Sequence, residues 1–382
     1  MSSVLISGAS IAGPALAFWL RRRGFDVTVV EKSHTLRGGG YPIDIRGTAL
    51  DVVERMGLLP RLREVHVNTQ RLTFLNADGS QVASIRPEAI TRSDGRDLEV
   101  RRGDLAEILH DTVRDDVEFL FDNSVAALDD HALGVDVTFK SGLQRTYDHV
   151  IGADGLHSAV RELTFGPEEQ FHRYLGYCFA GFTMPNDLGL SHEGVMWNEP
   201  GRAAVLYAVG AGESMHGFLS FARSEAPFGA FRDPQAQRDL VTEVFAGAGW
   251  EVPRLVKAMQ AADDLFFDTV SQIRMPRWSS GRVALVGDAA HAPSFLSGQG
   301  SSLALVGAYV LAGHIDDAPA YEREVRPFVE ANQGLVDVGS AELFPATAEA
   351  LAARNAALRE RTTMPAETGR PEHSAFTLPD FE

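Results

Sequence analysis

The pattern of apolar and polar positions divides the chain into three kinds of segment. The first kind opens it. In "SVLISGASIAGPALAFWLRRRGFDVTVVEK" an apolar run at 4–7 leads into the turn Gly8-Ala9-Ser10-Ile11-Ala12-Gly13, and then into 14–23, where apolar side chains recur at helical spacing. Pro14 suits a first helical turn and Gly24 a helix end. A second apolar run at 26–30 closes on Glu31, which completes a predicted β-α-β unit. The layout recurs in "YDHVIGADGLHSAVRELTFG", with a strand at 148–151, the turn Gly152-Ala153-Asp154-Gly155 and a helix start at His157 and Ser158. It recurs again in "LVGDAAHAPSFLSGQGSSLALVGA", where a strand ends on Gly287-Asp288 and a helix of small and aliphatic residues starts near Gly300, Ser301 and Ser302. The carboxyl ends of such strands are expected to meet in one crevice, where α/β folds bind ligands.

The second kind of segment lies at 175–225. Short runs rich in aromatic and β-branched residues, separated by Gly, Pro, Asn and Glu, predict an antiparallel sheet. Phe179, Phe182, Trp197, Tyr207, Phe218 and Phe221 could line an apolar pocket, but alternation along a strand allows only some of them to do so. The third kind is the C-terminal part. Two helical patterns follow Pro319; Pro327 is expected to break or kink the first, and the Pro-containing tail from Thr362 is expected to be poorly ordered. Between these segments, Gly38 to Gly40 read as a pliable hinge, 48–56 as a helix preceded by Arg46, and 104–113 as a helix preceded by Arg101 and Arg102.

Composition narrows the possible functions. The chain has 382 residues, 45% of them hydrophobic, which is enough for a substantial core. Lys and Arg total 35 against 52 Asp and Glu, a net charge of −17, which argues against nucleic acid and anionic membrane surfaces as partners. The single cysteine, Cys178 in "YCFAGF", excludes an intrachain disulfide and a Cys-rich zinc site and suits buried packing. No metal is expected. The N-terminus lacks signal-peptide features and no run of about 18 apolar residues occurs, so a cytoplasmic protein without a membrane span is expected.

The first turn has a specific physical meaning. Gly8 permits a tight turn, small residues at 9, 10 and 12 let the backbone approach a pyrophosphate, and Gly13 lets helix and strand pack closely. The helix N-terminus offers free N–H groups to an anion. Glu31 ends the second strand where an acid accepts hydrogen bonds from a ribose, and it favours a 2′-hydroxyl over a 2′-phosphate; Lys32 follows it. The usual middle glycine is Ser10, which narrows the approach. The pattern predicts dinucleotide binding. A simple NAD dehydrogenase has no need of the second and third turns.

With these motifs the sequence resembles the flavin-dependent aromatic monooxygenases, whose fold is that of para-hydroxybenzoate hydroxylase. Three motifs carry the resemblance: the Gly8–Gly13 turn with Glu31; "DGxxSxxR", met by Asp154, Gly155, Ser158 and Arg161; and "GDAAH" followed by "GxG", met by Gly287, Asp288, Ala289, Ala290, His291, Gly298 and Gly300. The likeness spans residues 3–330, and the compact tetracycline-inactivating members fit best. Two departures stand out. Ser302 occupies a position that is often Asn in the family, and Pro293 comes early, with Ser294-Phe295-Leu296-Ser297 filling the loop before Gly298.

The resemblance implies an α/β fold with a Rossmann-like FAD-binding domain (1–70, 100–172 and 276–318), an antiparallel substrate domain (71–99 and 173–275), C-terminal helices (319–361) and a flexible tail (362–382). It implies FAD as cofactor and NAD(P)H as co-substrate, with Asp288 on the ribityl chain. It places the helix start at Gly300–Ser302 against the flavin N1–C2=O edge, Arg46 beside the ring, and Arg102, or else Arg101, on the flavin. It makes His216, Phe218 and Phe295 substrate-side candidates. The implied activity is hydroxylation of an aromatic or polyketide-like small molecule by O₂ through a C4a-hydroperoxyflavin. The cofactor carries that chemistry, so no catalytic side chain is assigned, and neither His291 nor the adjacent His157 and Ser158 is expected to act as a base or dyad. Baeyer–Villiger oxygenation by the same cofactor, and a non-oxygenating flavin-binding protein, are the alternatives. The halogenase signature Trp-x-Trp-x-Ile-Pro is missing; the nearest stretch is "MPRWSSGR". A monomer or homodimer is expected.

Overall fold

The computed structural model describes residues 1–36, 40–87, 96–227, 233–337, 343–361 and 370–381. The hinge expected at Gly38 to Gly40 and the first part of the tail, 362–369, fall largely outside the described residues.

The three strand–turn–helix segments build one six-stranded sheet. Its strand order is Ser279–Ser280, Val283–Leu285, His149–Gly152, Ser3–Ser7, Asp26–Val30 and Glu118–Leu120, and all neighbours are parallel except the first pair. Ser3–Ser7 is central, and the chain leaves it to one side for Asp26–Val30 and returns on the other as His149–Gly152. This reversal makes a topological switch point. The register sets Ser7 beside both Val30 and Gly152, and Gly152 beside Leu285, so the strands' carboxyl ends are level. Helices Ala12–Arg22 and Gly300–Gly313 pack together on this sheet, and their apolar residues share its main core.

A seven-stranded sheet holds the β-rich segment. Its order is Phe266–Ile273, His172–Pro185, Ser214–Ala222, Arg202–Ala208, Glu193–Glu199, Arg71–Leu75 and Gln81–Ile85. Alternation sorts its aromatic residues. Phe182, Trp197 and Phe221 point away from the first sheet into a core with helices Pro234–Val244 and Val252–Ala261. That removes them as pocket residues. Cross-strand register puts Thr183, His216 and Tyr207 together on the other face, with Gly181, Phe218 and Val205 beside them. Helix Ala348–Arg361 packs against the far edge of this sheet, where Leu358 joins Phe74, Val82 and Ile85. Cys178 is buried, as its neighbours suggest.

Two C-terminal expectations are corrected. Helix Ala318–Gln333 is not broken at Pro327 but continues through it. A mid-helix proline costs about 3 kcal/mol, and burial of Val325, Phe328 and Val329 around it offsets this. Residues 370–381 are not loose. His373 is buried, Thr48 Oγ1 donates to the Phe376 carbonyl at 2.7 Å, and the Phe381 ring packs on Tyr309 at 5.4 Å. Aromatic anchors outweigh the proline content there. No helix among the described residues is long and apolar enough to cross a membrane.

Candidate active site

The level strand ends bring the three turns into contact. A Cβ on Gly8 would lie 2.4 Å from the Ala153 carbonyl oxygen, and one on Gly287 would lie 3.1 Å from Ala12 Cβ. Only glycine allows the approach at residue 8, a side chain at 287 would press on Ala12, and both residues have a positive φ that favours glycine. Gly13 is tighter still, with a Cβ position 1.9 Å from the Gly8 carbonyl oxygen. Its constraint is therefore packing of helix on strand inside the unit, and not room for phosphate. Ile11 and Ala12 are buried beneath the turn. Glu31 accepts from Ala9 N and from Ser33 N, each at 2.9 Å, which fixes its carboxylate under the turn. Lys32 is exposed on the following bend.

Asp154 caps helix Ala159–Phe165. It accepts from Val160 N at 3.1 Å and from the Ser158 hydroxyl, while Ser158 Oγ accepts from Arg161 N. Gly155 follows it with φ +86° and open space around it. Burial pushes the Asp154 carboxyl above the usual range. Arg161 is fully buried and donates to the carbonyls of Leu156 and Ala289 at 2.6 and 3.0 Å and to Glu168 Oε2 at 2.6 Å. The second motif thus anchors the third.

His157 bridges Glu168, at 2.8 Å from Nδ1, and Asp268 of the seven-stranded sheet, at 3.1 Å from Nε2. The hydrogen bonds to Asp268 and then Glu168 raise its pKa from 6.5 to about 10. The imidazolium therefore ties the two sheets. A raised folded-state pKa gives stability that is complete below about pH 6.5 and is lost as pH climbs towards 10. The melting temperature of the wild type is expected to fall across that window, and a His157→Gln variant to show a flatter profile. Parallel profiles in a thermal-shift titration would contradict the bridge.

Asp288 is exposed although residues 283–287 and 289–294 are buried, so its carboxylate looks into a cleft. Burial of the surroundings raises its pKa, against the charges of Arg102 and Arg161. A Cβ on Gly300 would lie 3.8 Å from Asp288 Oδ1, so the aspartate stands at the start of helix Gly300–Gly313, which no side chain caps. Ser301 and Ser302 are buried in its first turn, and Ser302 Oγ accepts from Arg46 N at 3.1 Å. The Arg46 guanidinium pairs with Asp44 at 2.6 Å and lies beside Gly298, 3.7 Å from a Cβ position there. Arg102 and Arg101 separate cleanly. Arg102 Nη2 reaches Ser10 Oγ at 2.7 Å, whereas Arg101 pairs with Asp104 on the half-exposed side. His291 is core. It is buried beside Trp278 and Tyr321, and burial drives its pKa down to about 3, so it is neutral.

The other wall of the cleft comes from the seven-stranded sheet and the ribbon of Pro42–Ile45 paired with Leu98–Arg101. The Tyr41 ring lies 5.9 Å from Phe218 in an edge contact, and His216 lies 6.4 Å from Phe218. Burial lowers the His216 pKa. Phe295 is 39% exposed and packs edge-on against Phe179 at 4.9 Å. The sequence reading missed Tyr41, Asp44, Glu99 and Asp268. Tyr207 donates to Glu99 Oε1 at 2.6 Å and Thr69 to Oε2 at 2.5 Å, and burial, followed by the charge of Asp44, raises the Glu99 pKa. The alternations "PIDI" and "LEVR" were the available signal, since they place Asp44 and Glu99 as cross-strand partners on one ribbon face.

Comparison with known proteins agrees with this geometry. The profile of the family described as "FAD binding domain" matches residues 1–316. An uncharacterised protein of Mycobacterium tuberculosis is 43% identical over 348 residues, covering 88% of this chain and 93% of its own. A flavin-dependent monooxygenase from an unknown prokaryotic organism is 38% identical over 386 residues, covering 99% of this chain and 98% of its own. The solved structure of tetracycline destructase Tet(55) matches with a TM-score of 0.84 at 36% identity, over 99% of this chain and 98% of that one. With three glycine turns levelled at one switch point and likeness along nearly its whole length, the chain belongs to the FAD binding domain family, as an FAD-binding, flavin-dependent monooxygenase of group A.

Proposed function

We propose that the protein is an NAD(P)H-driven monooxygenase that hydroxylates an aromatic or polyketide-like small molecule. The six-stranded part would hold FAD, and the face of the seven-stranded sheet that carries His216 and Phe218 would hold the substrate. The observation that carries this reading is the exposed Asp288 at an uncapped helix start, set in a buried stretch, with its charge acting on Tyr41, whose ring packs on Phe218 of the seven-stranded sheet.

The residues present fit FAD. Close approach at Gly8 and Gly287 packs the three turns on one another, and Asp288 stays exposed among buried neighbours at the uncapped start of helix Gly300–Gly313. In this assignment Ser10, Ala12 and the N-terminus of helix Ala12–Arg22 receive the pyrophosphate, and Glu31 the adenosine ribose. Asp288 receives the ribityl hydroxyls, and Gly298 and Arg46 lie along the ring. Bound FAD supplies hydride acceptance from NAD(P)H and activation of O₂ for transfer of one oxygen atom. The helix start at Gly300–Ser302 favours negative charge by about 0.3–1 kcal/mol, and more when partly buried. Tyr41, Phe218 and Phe295 orient a flat apolar substrate and exclude water, and the Glu99-supported Tyr207 phenol gives it a polar contact. The name of the Tet(55) relative supports a polycyclic, tetracycline-type substrate class.

The test is an assay of the purified protein with FAD. NAD(P)H oxidation is followed with a panel of polycyclic phenols and enols, and products are read by mass spectrometry. A substrate-dependent gain of one oxygen atom supports the reading. Consumption that yields only hydrogen peroxide with every compound would contradict it.

A further inference from the structure

Residues 370–381 lie along helix Thr48–Arg55 as a strap that holds both of its ends. At the start, the His373 backbone sits against Gly47, where a Cβ would lie 2.0 Å from the His373 carbonyl oxygen; φ is +51° at this glycine. Beside it, Thr48 Oγ1 donates to the Phe376 carbonyl at 2.7 Å. At the far end, the Pro379 carbonyl accepts from Arg55 Nη1 at 3.1 Å and from the Tyr309 hydroxyl at 2.7 Å. The strap is itself anchored on two other helices. Asn332 Nδ2 donates to the Glu372 carbonyl at 3.0 Å, and the Phe376 ring stacks on Phe328 at 5.6 Å. Phe381 covers Gly313 so closely that a Cβ there would lie 2.3 Å from its ring.

The start of helix Thr48–Arg55 is also the back of the Arg46 corner. Arg46 N donates to Ser302 Oγ at 3.1 Å, and its guanidinium pairs with Asp44 beside Gly298. Of three consecutive residues, Arg46 therefore meets the first turn of helix Gly300–Gly313, while Gly47 and Thr48 meet the strap. Close packing leaves such a corner no room to move unless one side gives way.

We propose that the C-terminal strap is a positioning element of the flavin site: seated on Gly47 and Thr48, it holds the Arg46 corner against Gly298 and Ser302, and FAD affinity depends on that seat. This rests on the assignment of Arg46 and Gly298 to the flavin ring. Thr48, His373 and Phe376 act through Arg46 and not on the cofactor. The last residues of the chain thus complete a wall whose other parts come from residues 44–46 and 298–302.

The experiment titrates full-length apoprotein with FAD, read by flavin fluorescence and by the absorption spectrum of the bound flavin. It compares the wild type with Thr48→Val, Thr48→Ser, Phe376→Ala and the double variant Thr48→Val/Phe376→Ala. Thr48→Val removes the hydrogen bond to the strap at nearly constant volume and is expected to raise Kd about threefold, the scale of one neutral hydrogen bond. Thr48→Ser keeps the hydroxyl and is expected to bind as the wild type does. Phe376→Ala loosens the strap from Phe328 and is expected to raise Kd about fivefold, within the range of coupling carried through packed elements. The double variant is expected to bind within about twofold of Phe376→Ala, because both changes unseat one strap. The visible band of the bound flavin is expected to shift in Thr48→Val and Phe376→Ala. If Phe376→Ala fails to fold, Thr48→Val decides, since it keeps every aromatic anchor. Wild-type affinity and spectrum in Thr48→Val, or an equal loss in Thr48→Ser, would overturn the role of the strap while leaving the FAD assignment standing. Wild-type affinity in Arg46→Met would instead remove Arg46 from the ring, and this inference with it.

Discussion

Replacing Gly13 with valine is expected to unseat the first β-α-β unit, and loss of the cofactor will follow from that. The added Cβ would lie 1.9 Å from the Gly8 carbonyl oxygen, so one of the two backbones must move. Neither is free. Gly8 N donates to the Val30 carbonyl at 2.8 Å, and its Cα faces the Ala153 carbonyl so closely that even a methyl group there would collide. A shift at Gly8 therefore disturbs both neighbours of the central strand. Overpacking typically costs about 1–3 kcal/mol and occasionally more, and a collision of backbone with backbone belongs at the upper end or beyond. Urea denaturation of the apoprotein should show the loss directly, with FAD content falling in parallel. A Gly13→Val apoprotein as stable as the wild type but unable to bind FAD would mean that the residue only makes room for phosphate.

Arg161→Ala is expected to have the second-largest effect. The side chain is fully buried and serves three acceptors, of which the Ala289 carbonyl belongs to the turn that carries Asp288. Truncation leaves that carbonyl, the Leu156 carbonyl and part of the Glu168 carboxylate without their donor. Breaking a buried pair by removing one partner costs about 3–5 kcal/mol. The lower end applies here, because Glu168 is partly exposed and keeps His157. Stability should fall by about 3 kcal/mol in denaturant. FAD affinity should fall as well, although Arg161 is buried behind the turn. Unchanged FAD affinity in a destabilised protein would separate the second motif from the third.

The cofactor side of the molecule is legible in the sequence because its chemistry sits on strand–turn–helix junctions. There, glycine spacing and parallel register together decide where Glu31, Asp154 and Asp288 end up. The substrate side is less so. Alternation separates Phe179 and Phe218 from Phe182 and Phe221, but nothing local says which set meets the helices and which meets the cleft. Tyr41, Glu99 and Asp268 are single polar residues whose partners Phe218, Tyr207 and His157 lie far along the chain. Pairing of Arg102 with Ser10, which leaves Arg101 outside, likewise depends on the tertiary position of one helix start. Proline in the tail suggested looseness, yet Phe376 and Phe381 anchor residues 370–381 on helices Ala318–Gln333 and Gly300–Gly313.

The central claim is that three separate turns grip one FAD, with Asp288 at its middle. Equilibrium titration of apoprotein with FAD tests it most directly, comparing the wild type with Asp288→Ala. Asp288 is exposed to the cleft, so its removal should leave the apoprotein about as stable as the wild type. The account predicts saturation of the wild type at one FAD per chain and at least about a tenfold weaker Kd for Asp288→Ala, the scale of one or two hydrogen bonds to a charged group. A wild-type protein that takes up no FAD, or an Asp288→Ala variant that binds it as tightly, would contradict it.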